Sequence, residues 1–167
     1  MRTTPQGVLV LCYGNPCRLD DAIGAAFARA LEESVPDGVT VETDYQLSVE
    51  HALQIAEHEI VIFVDAAVSG PEPFAFRRVH PKFGASFTTH SIEPESLMGL
   101  ARELFDAKAR GYTLGIRGYE FDDFGESLSP SARANLDAAV GFVLELLGSR
   151  RFEESARVFD SPPSHPC

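Results

Sequence analysis

Two adjacent carboxylates, Asp20 and Asp21, stand in the stretch Gly14-Asn15-Pro16-Cys17-Arg18-Leu19-Asp20-Asp21-Ala22-Ile23-Gly24. A third, Asp65, ends the apolar run Ile60-Val61-Ile62-Phe63-Val64. A histidine, His90, lies in the irregular polar stretch from Pro81 to Ser91. Two carboxylates and an imidazole, with room for a water, form a mixed oxygen and nitrogen donor set for a divalent metal, and a catalytic site of that kind keeps one position open. Simpler roles exist for each residue. Asp20 or Asp21 suits a helix cap, Asp65 suits a cap of the segment after its strand, and His90 is one of five histidines and suits a solvated loop.

The elements that must carry these residues follow from the apolar pattern. Val8-Leu9-Val10-Leu11 reads as a buried strand. Ile23, Phe27, Ala30 and Leu31 recur on one helical face, so the acidic pair sits in a strand-to-helix turn. In a parallel sheet that turn lies at the carboxyl edge, where ligands bind. Val39 to Thr43 alternates like a strand. Ser48 suits the cap of a second helix with Val49, Ala52, Leu53 and Ala56 as its apolar face, which leaves His51 and His58 at the surface. Residues 60–64 suit a strand buried on both faces. If the first and third strands are neighbours, Asp21 and Asp65 come side by side and His90 can swing over them.

Phe74 to Val79 alternates and reads as a strand at or near a sheet edge. Pro94 takes the favoured first helical position, and Leu97, Leu100, Ala101, Leu104 and Phe105 give that helix an apolar face, with Gly111 closing it. Tyr112 to Gly118 is the last strand, Tyr119 to Leu128 an acidic loop. Ser129-Pro130 caps a helix whose stripe runs through Leu136, Ala139, Val140, Val143, Leu144 and Leu147. Strands alternating with helices imply an α/β fold, a three-layer sandwich around a mostly parallel twisted sheet with helices on both faces. Residues 1–149 form a single domain on this reading, and the Pro/Ser-rich residues 150–167 a disordered tail.

The 167 residues are 44% hydrophobic and carry a net charge of −11. That charge argues against a nucleic-acid partner, which calls for a basic face. No apolar run approaches the roughly 20 residues of a membrane span, and no signal-peptide pattern opens the chain, so the expected location is cytoplasmic with no membrane insertion. Cys12, Cys17 and Cys167 lack a CxxC pair, which indicates neither a disulfide framework nor a zinc knuckle. Cys17 has the position of a thiol nucleophile, yet Arg18 and the acidic pair supply no clear base. A phosphate loop is disfavoured: the turn has no second glycine before the helix and no lysine, and its two carboxylates repel phosphate.

Together these stretches resemble the hydrogenase maturation proteases across roughly residues 7–148. Gly14-Asn15-Pro16-x-Arg18-x-Asp20-Asp21-x-Ile23-Gly24 resembles that family's first signature, with Asp21 on its acidic ligand. Val64-Asp65-Ala66 resembles the second, with Asp65 on the second ligand, and Thr89-His90-Ser91 followed by Pro94-Glu95 the third, with His90 on the histidine ligand. Asp44-Tyr45-Gln46-Leu47, Gly115 to Phe121 and Leu128-Ser129-Pro130 resemble one branch of the family. Ala22 departs from the pattern, where glycine is common, and so do Cys12 and Cys17.

The resemblance implies an endopeptidase that removes the C-terminal extension of a [NiFe] hydrogenase large-subunit precursor. It further implies that nickel arrives inside that precursor, with no organic cofactor, and that Asp21, Asp65 and His90 are at once metal ligands and catalytic residues. One of the carboxylates would be the general base. Gly14, Asn15 and Asp20 would contact substrate, with Asn15 positioning the peptide or orienting Asp21. Two other readings are a non-proteolytic metal-binding chaperone acting on the same precursor, and a nucleotide-binding Rossmann-like domain, for which the first turn lacks the glycine pattern.

Overall fold

A computed structural model describes residues 7–84 and 92–160. Five strands form one sheet: β1 (Val8–Tyr13), β2 (Val39–Asp44), β3 (Ile60–Ala67), β4 (Phe74–Val79) and β5 (Arg110–Arg117). Their spatial order is β2-β1-β3-β5-β4. β1 runs parallel to both β2 and β3, β3 runs parallel to β5, and β4 closes one edge antiparallel to β5. The expected edge strand and the expected pairing of the first and third strands are both present. From β1 the chain turns one way to β2 and then crosses to the other side for β3. The gap between the carboxyl ends of β1 and β3 is therefore the topological switch point, where open α/β sheets bind ligands.

Strand alternation sends side chains to two separate cores. Val10, Cys12, Ile62, Val64, Phe76, Leu114 and Ile116 face one way. They are covered by α1 (Ile23–Glu32), α4 (Pro130–Ser149) and α5 (Phe152–Asp160) through Phe27, Leu31, Leu136, Val143 and Phe152. Leu9, Leu11, Val61, Phe63 and Val79 face the other way, against α2 (His51–Ala56) and α3 (Pro94–Phe105). This is the expected three-layer α/β sandwich. Ser129 caps α4 as expected, its hydroxyl accepting from the Ala132 amide at 3.3 Å.

Several local expectations are corrected. The chain past residue 149 is not a tail from its start: α5 occupies Phe152–Asp160, with Phe152 and Ala156 buried one turn apart. Its Glu153 ties back to the sheet, accepting from the Tyr112 hydroxyl at 2.8 Å. Gly111 does not close α3. Asp106, at φ 54, ends it with the backbone amide bonded to the Ala101 and Arg102 carbonyls, while Gly111 lies inside β5 where a Cβ would crowd the Met98 side chain.

The face of α2 also differs. Val49 and Leu53 are exposed, as are Leu104 and Phe105 at the end of α3, whereas His51 is buried. The Ser48 amide donates to His51 Nδ1 at 2.9 Å, which leaves Nε2 facing Asp44 Oδ2 at 3.4 Å. A polar ring with both nitrogens partnered can replace an aliphatic one. Ser48 therefore supplies an amide to His51, and α2 carries no side-chain cap.

Candidate active site

The turn after β1 is built by close backbone approaches. At Gly14, φ is 135 and a Cβ would lie 2.4 Å from the Asp21 carbonyl oxygen. At Gly24 a Cβ would lie 2.3 Å from the Tyr13 carbonyl oxygen, so only glycine lets the helix start against the strand end. Between them Leu19–Ala22 form one 3-10 turn. Leu19 adopts φ 47, a conformation uncommon for leucine. Its amide donates to the Gly125 carbonyl at 3.0 Å and the Asp20 amide to the Glu120 carbonyl at 2.9 Å, which pins the turn to the loop after β5.

The two aspartates of the pair have different environments. Asp20 is fully buried. Its carboxylate accepts from the Tyr119 amide (2.8 Å), the Glu120 amide (3.0 Å), the Ser129 amide (2.8 Å) and the Ser129 hydroxyl (2.7 Å). Burial pushes its pKa up, but the Ser129, Glu120 and Tyr119 amides and the Ser129 hydroxyl outweigh it and hold the carboxyl below its usual range. Asp20 thus corrects two expectations. It neither caps its own helix, for which no side-chain bond exists, nor has an oxygen left to offer a substrate. It binds the turn after β1 to Tyr119-Glu120 and to Ser129.

Asp21 is half-buried and turned the other way. Its Oδ2 accepts the Asn15 amide at 2.8 Å, so the Asn15 backbone orients it, while the Asn15 side chain accepts from the Cys17 amide at 2.9 Å. Asp65 lies within β3, not at its end, and its Oδ1 accepts the Ala66 amide at 2.8 Å. Burial raises the Asp65 carboxyl to about 7; the Ala66 amide opposes this, and the negative charge of Asp21 adds to it. The structure therefore brings Asp21 and Asp65 together at the switch point. Each keeps one oxygen, Asp21 Oδ1 and Asp65 Oδ2, with no donor among the described residues.

His90 lies outside the described residues, and among those described no group of three or more His, Cys, Asp or Glu side chains is arranged to hold a metal. Two spare carboxylate oxygens supply part of an oxygen donor set that an imidazole would complete. The turn is no phosphate cradle. The Gly14 amide donates to the Asp44 and Tyr45 carbonyls, Asn15 to Asp21, Cys17 to Asn15 and Arg18 to the Asn15 carbonyl, so none of these amides is left for an anion. Cys17 is exposed, and no hydrogen bond or ion pair reaches its thiol among the described residues. Cys12 is buried, and desolvation raises its thiol pKa.

Sequence reasoning passed over Tyr13 and Arg77. Tyr13 shares a face with Leu9 and Leu11, and the same alternation applied to β3 puts it beside Asp65. Burial raises its hydroxyl pKa, with the carboxylates of Asp65, Glu95 and Glu93 adding to the shift, so it stays a proton donor over ordinary pH. A cavity of about 300 Å³ opens here, lined by Tyr13, Asp65, Ala75, Arg77, Thr113 and Gly115 among others.

Known proteins resemble this chain in both sequence and shape. The hydrogenase expression/formation protein HupD of Thiocapsa roseopersicina is 27% identical over 97% of this chain and 78% of its own. HoxM of Azotobacter vinelandii, of the same description, is 26% identical over 95% of this chain and 80% of its own. The chain is similar in sequence to these hydrogenase expression/formation proteins and in fold to solved hydrogenase maturation proteases. The hydrogenase maturating endopeptidase HybD of E. coli superposes with a TM-score of 0.65 at 23% identity, over 87% of this chain and 94% of that one. The [NiFe] hydrogenase maturation protease HycI of Thermococcus kodakarensis gives 0.67 at 22%, over 85% and 92%. No family model matches the chain. Among the described residues no helix is long and apolar enough to cross a membrane.

Proposed function

We propose that this protein is an endopeptidase that cuts the C-terminal extension from a nickel-loaded [NiFe] hydrogenase large-subunit precursor. The observation that carries the reading is the meeting of Asp21 and Asp65 at the switch point, each with one uncommitted oxygen. Nickel is part of the substrate here. Asp21 and Asp65, with His90 as the third ligand, meet it from the protease side, while Gly14 and Asn15 border the peptide. Held there, the metal would polarise the scissile carbonyl or lower the pKa of a water. The water oxygen adds to the carbonyl carbon, a carboxylate takes its proton, and the proton passes to the departing amide nitrogen. One of the two carboxylates serves as the base and the other as the fixed ligand.

Gating follows from the same chemistry. Two carboxylates without a metal hold no nucleophile, and no Ser-His or Cys-His pair lies among the described site residues. The protein should therefore leave casein intact. Incubation with nickel-loaded and nickel-free precursor, followed by intact-mass measurement, tests the reading. The expected result is loss of the extension from the loaded form alone. Unchanged mass with stable complex formation would favour the non-proteolytic chaperone, and cleavage of both forms would remove nickel from the mechanism.

A further inference from the structure

The cavity beside Asp65 has a floor made by one face of the sheet. Phe63 and Asp65 of β3, Thr113 and Gly115 of β5, and Ala75 and Arg77 of β4 all project to it. Thr113 and Gly115 are too small or too polar to bury that face, so the floor is open beyond the apolar core under α2 and α3. Two of its lining residues are charged, Asp65 and Arg77. Arg77 is exposed, and among the described residues its guanidinium has no hydrogen-bond or ion-pair partner. Its neighbour Arg78, on the opposite face, is by contrast held by Glu153 and Tyr112. In a chain of net charge −11, with carboxylates on the scissile side of the cavity, an unpaired cation at the far side is a selective feature.

We infer that Arg77 is a specificity residue of this site and binds a carboxylate of the substrate peptide near the scissile bond. The inference rests on the endopeptidase reading above. Asp65 pairs with Gly115, which pairs with Ala75, and Arg77 lies two residues along β4 from Ala75. At about 4.8 Å per strand and about 3.4 Å per residue, the two Cα atoms are roughly 12 Å apart. An extended peptide advances about 3.3 Å per residue, so a carboxylate held at Arg77 lies about three to four residues from the cut. A guanidinium fork grips a carboxylate with two parallel hydrogen bonds. The carboxylate comes either from an acidic side chain or from the end of the extension.

The test pairs a binding readout with a cleavage readout. Immobilised nickel-loaded precursor is titrated with the full-length wild type, Arg77→Gln and Arg77→Lys, and processing by each is followed by intact mass. The expected result is weaker binding and a KM raised about tenfold for Arg77→Gln, with kcat falling less than KM rises and Arg77→Lys recovering part of the loss. Precursor acids within four residues of the cut are then changed singly to Asn or Gln, and the extension is lengthened by two residues in a separate arm. One of these substrates should bind the wild type as weakly as Arg77→Gln binds the parent precursor, which tells a side chain from a chain end. Equal affinity and KM for wild type and Arg77→Gln overturns the role of Arg77, even with cleavage intact. So does a substrate series in which no carboxylate matters. If the wild type fails to cleave but Arg77→Gln still loses binding, the endopeptidase reading falls and the carboxylate site stands.

Discussion

The two edges of the sheet each hold a cavity, and the larger one is not the candidate site. At the amino edge a cavity of about 770 Å³ is bordered by Gly7, Asp37, Gly38, His58, Glu59 and Arg150 among others. Apart from Asp37, its charged and polar side chains are engaged. Arg150 meets Glu59 at 3.1 Å, and the two His58 nitrogens reach the Gln54 carbonyl and the Thr40 hydroxyl at 2.7 and 3.3 Å. At the carboxyl edge the space is less than half as large, but among the described residues Asp21, Asp65 and Arg77 each retain an unused polar group. Volume shows where a molecule fits; unmet hydrogen-bonding and charge capacity shows where one is bound. The same contrast separates Asp20 from Asp21, one residue apart, the first satisfied and the second not.

That contrast breaks most visibly at Asp20. Asp20→Asn places an amide NH2 against amide donors and removes the charge that three amides and a hydroxyl converge on. We expect a loss of about 2–4 kcal/mol in unfolding free energy, read by urea denaturation at neutral pH. Ser129→Ala removes one of those donors and the α4 cap together, and should cost about 1–2 kcal/mol by the same measurement. A neutral Asp20→Asn would mean that its hydrogen bonds contribute little and that the pair has no division of labour.

Asp20 and Asp65 also predict opposite pH slopes. The Asp20 pKa is lowered in the fold, so its contribution is present above the unfolded value and is lost as acid protonates it below that value. The Asp65 pKa is raised from 3.8 to about 7. The native state then binds the proton more tightly than the unfolded chain, and stability falls as pH rises from about 4 through about 7. Asp65→Asn should therefore match the wild type near pH 4 and exceed it at pH 8. One pKa unit is about 1.4 kcal/mol, and partial solvent access reduces the gain to about 1–3 kcal/mol. Equal stability of the two proteins at pH 8 would show that Asp65 ionises freely. The smallest effect is expected at Cys17. Among the described residues its exposed thiol has no base beside it, so Cys17→Ser should process precursor within about twofold of the parent rate, and a folded but inactive variant would point to thiol chemistry.

Much of this was legible in the sequence where one residue type has one physical use. The continuous apolar run from Ile60 to Val64 announces a doubly covered strand, Pro94 and Ser129-Pro130 announce helix starts, and the acidic turn follows from its place between strand and helix. The illegible part depends on distant partners. Asp20 reads like Asp21 locally, and only the return of Tyr119, Glu120 and Ser129 to the turn separates them. His51 looks like a surface residue until Asp44 and Ser48 are beside it. α5 is too short for its Phe152 and Ala156 to register as a periodic stripe, and it is held by packing on β4, an edge strand whose position no local pattern states. Arg77 differs from Arg78 only by strand alternation and by the absence of a Glu153 on its own face.

If the carboxyl edge acts on substrate and the amino edge does not, the two edges must respond differently to substitution. The direct measurement is the processing rate of nickel-loaded precursor by Asp21→Asn and Arg150→Ala side by side, with folding of each checked by circular dichroism and thermal melting. We expect at least a hundredfold loss for folded Asp21→Asn, about 2.7 kcal/mol of transition-state stabilisation at 1.36 kcal/mol per tenfold, and a rate within about twofold of wild type for Arg150→Ala. Parent-like processing by Asp21→Asn, or a folded Arg150→Ala that fails to process, would contradict the assignment of chemistry to the carboxyl edge.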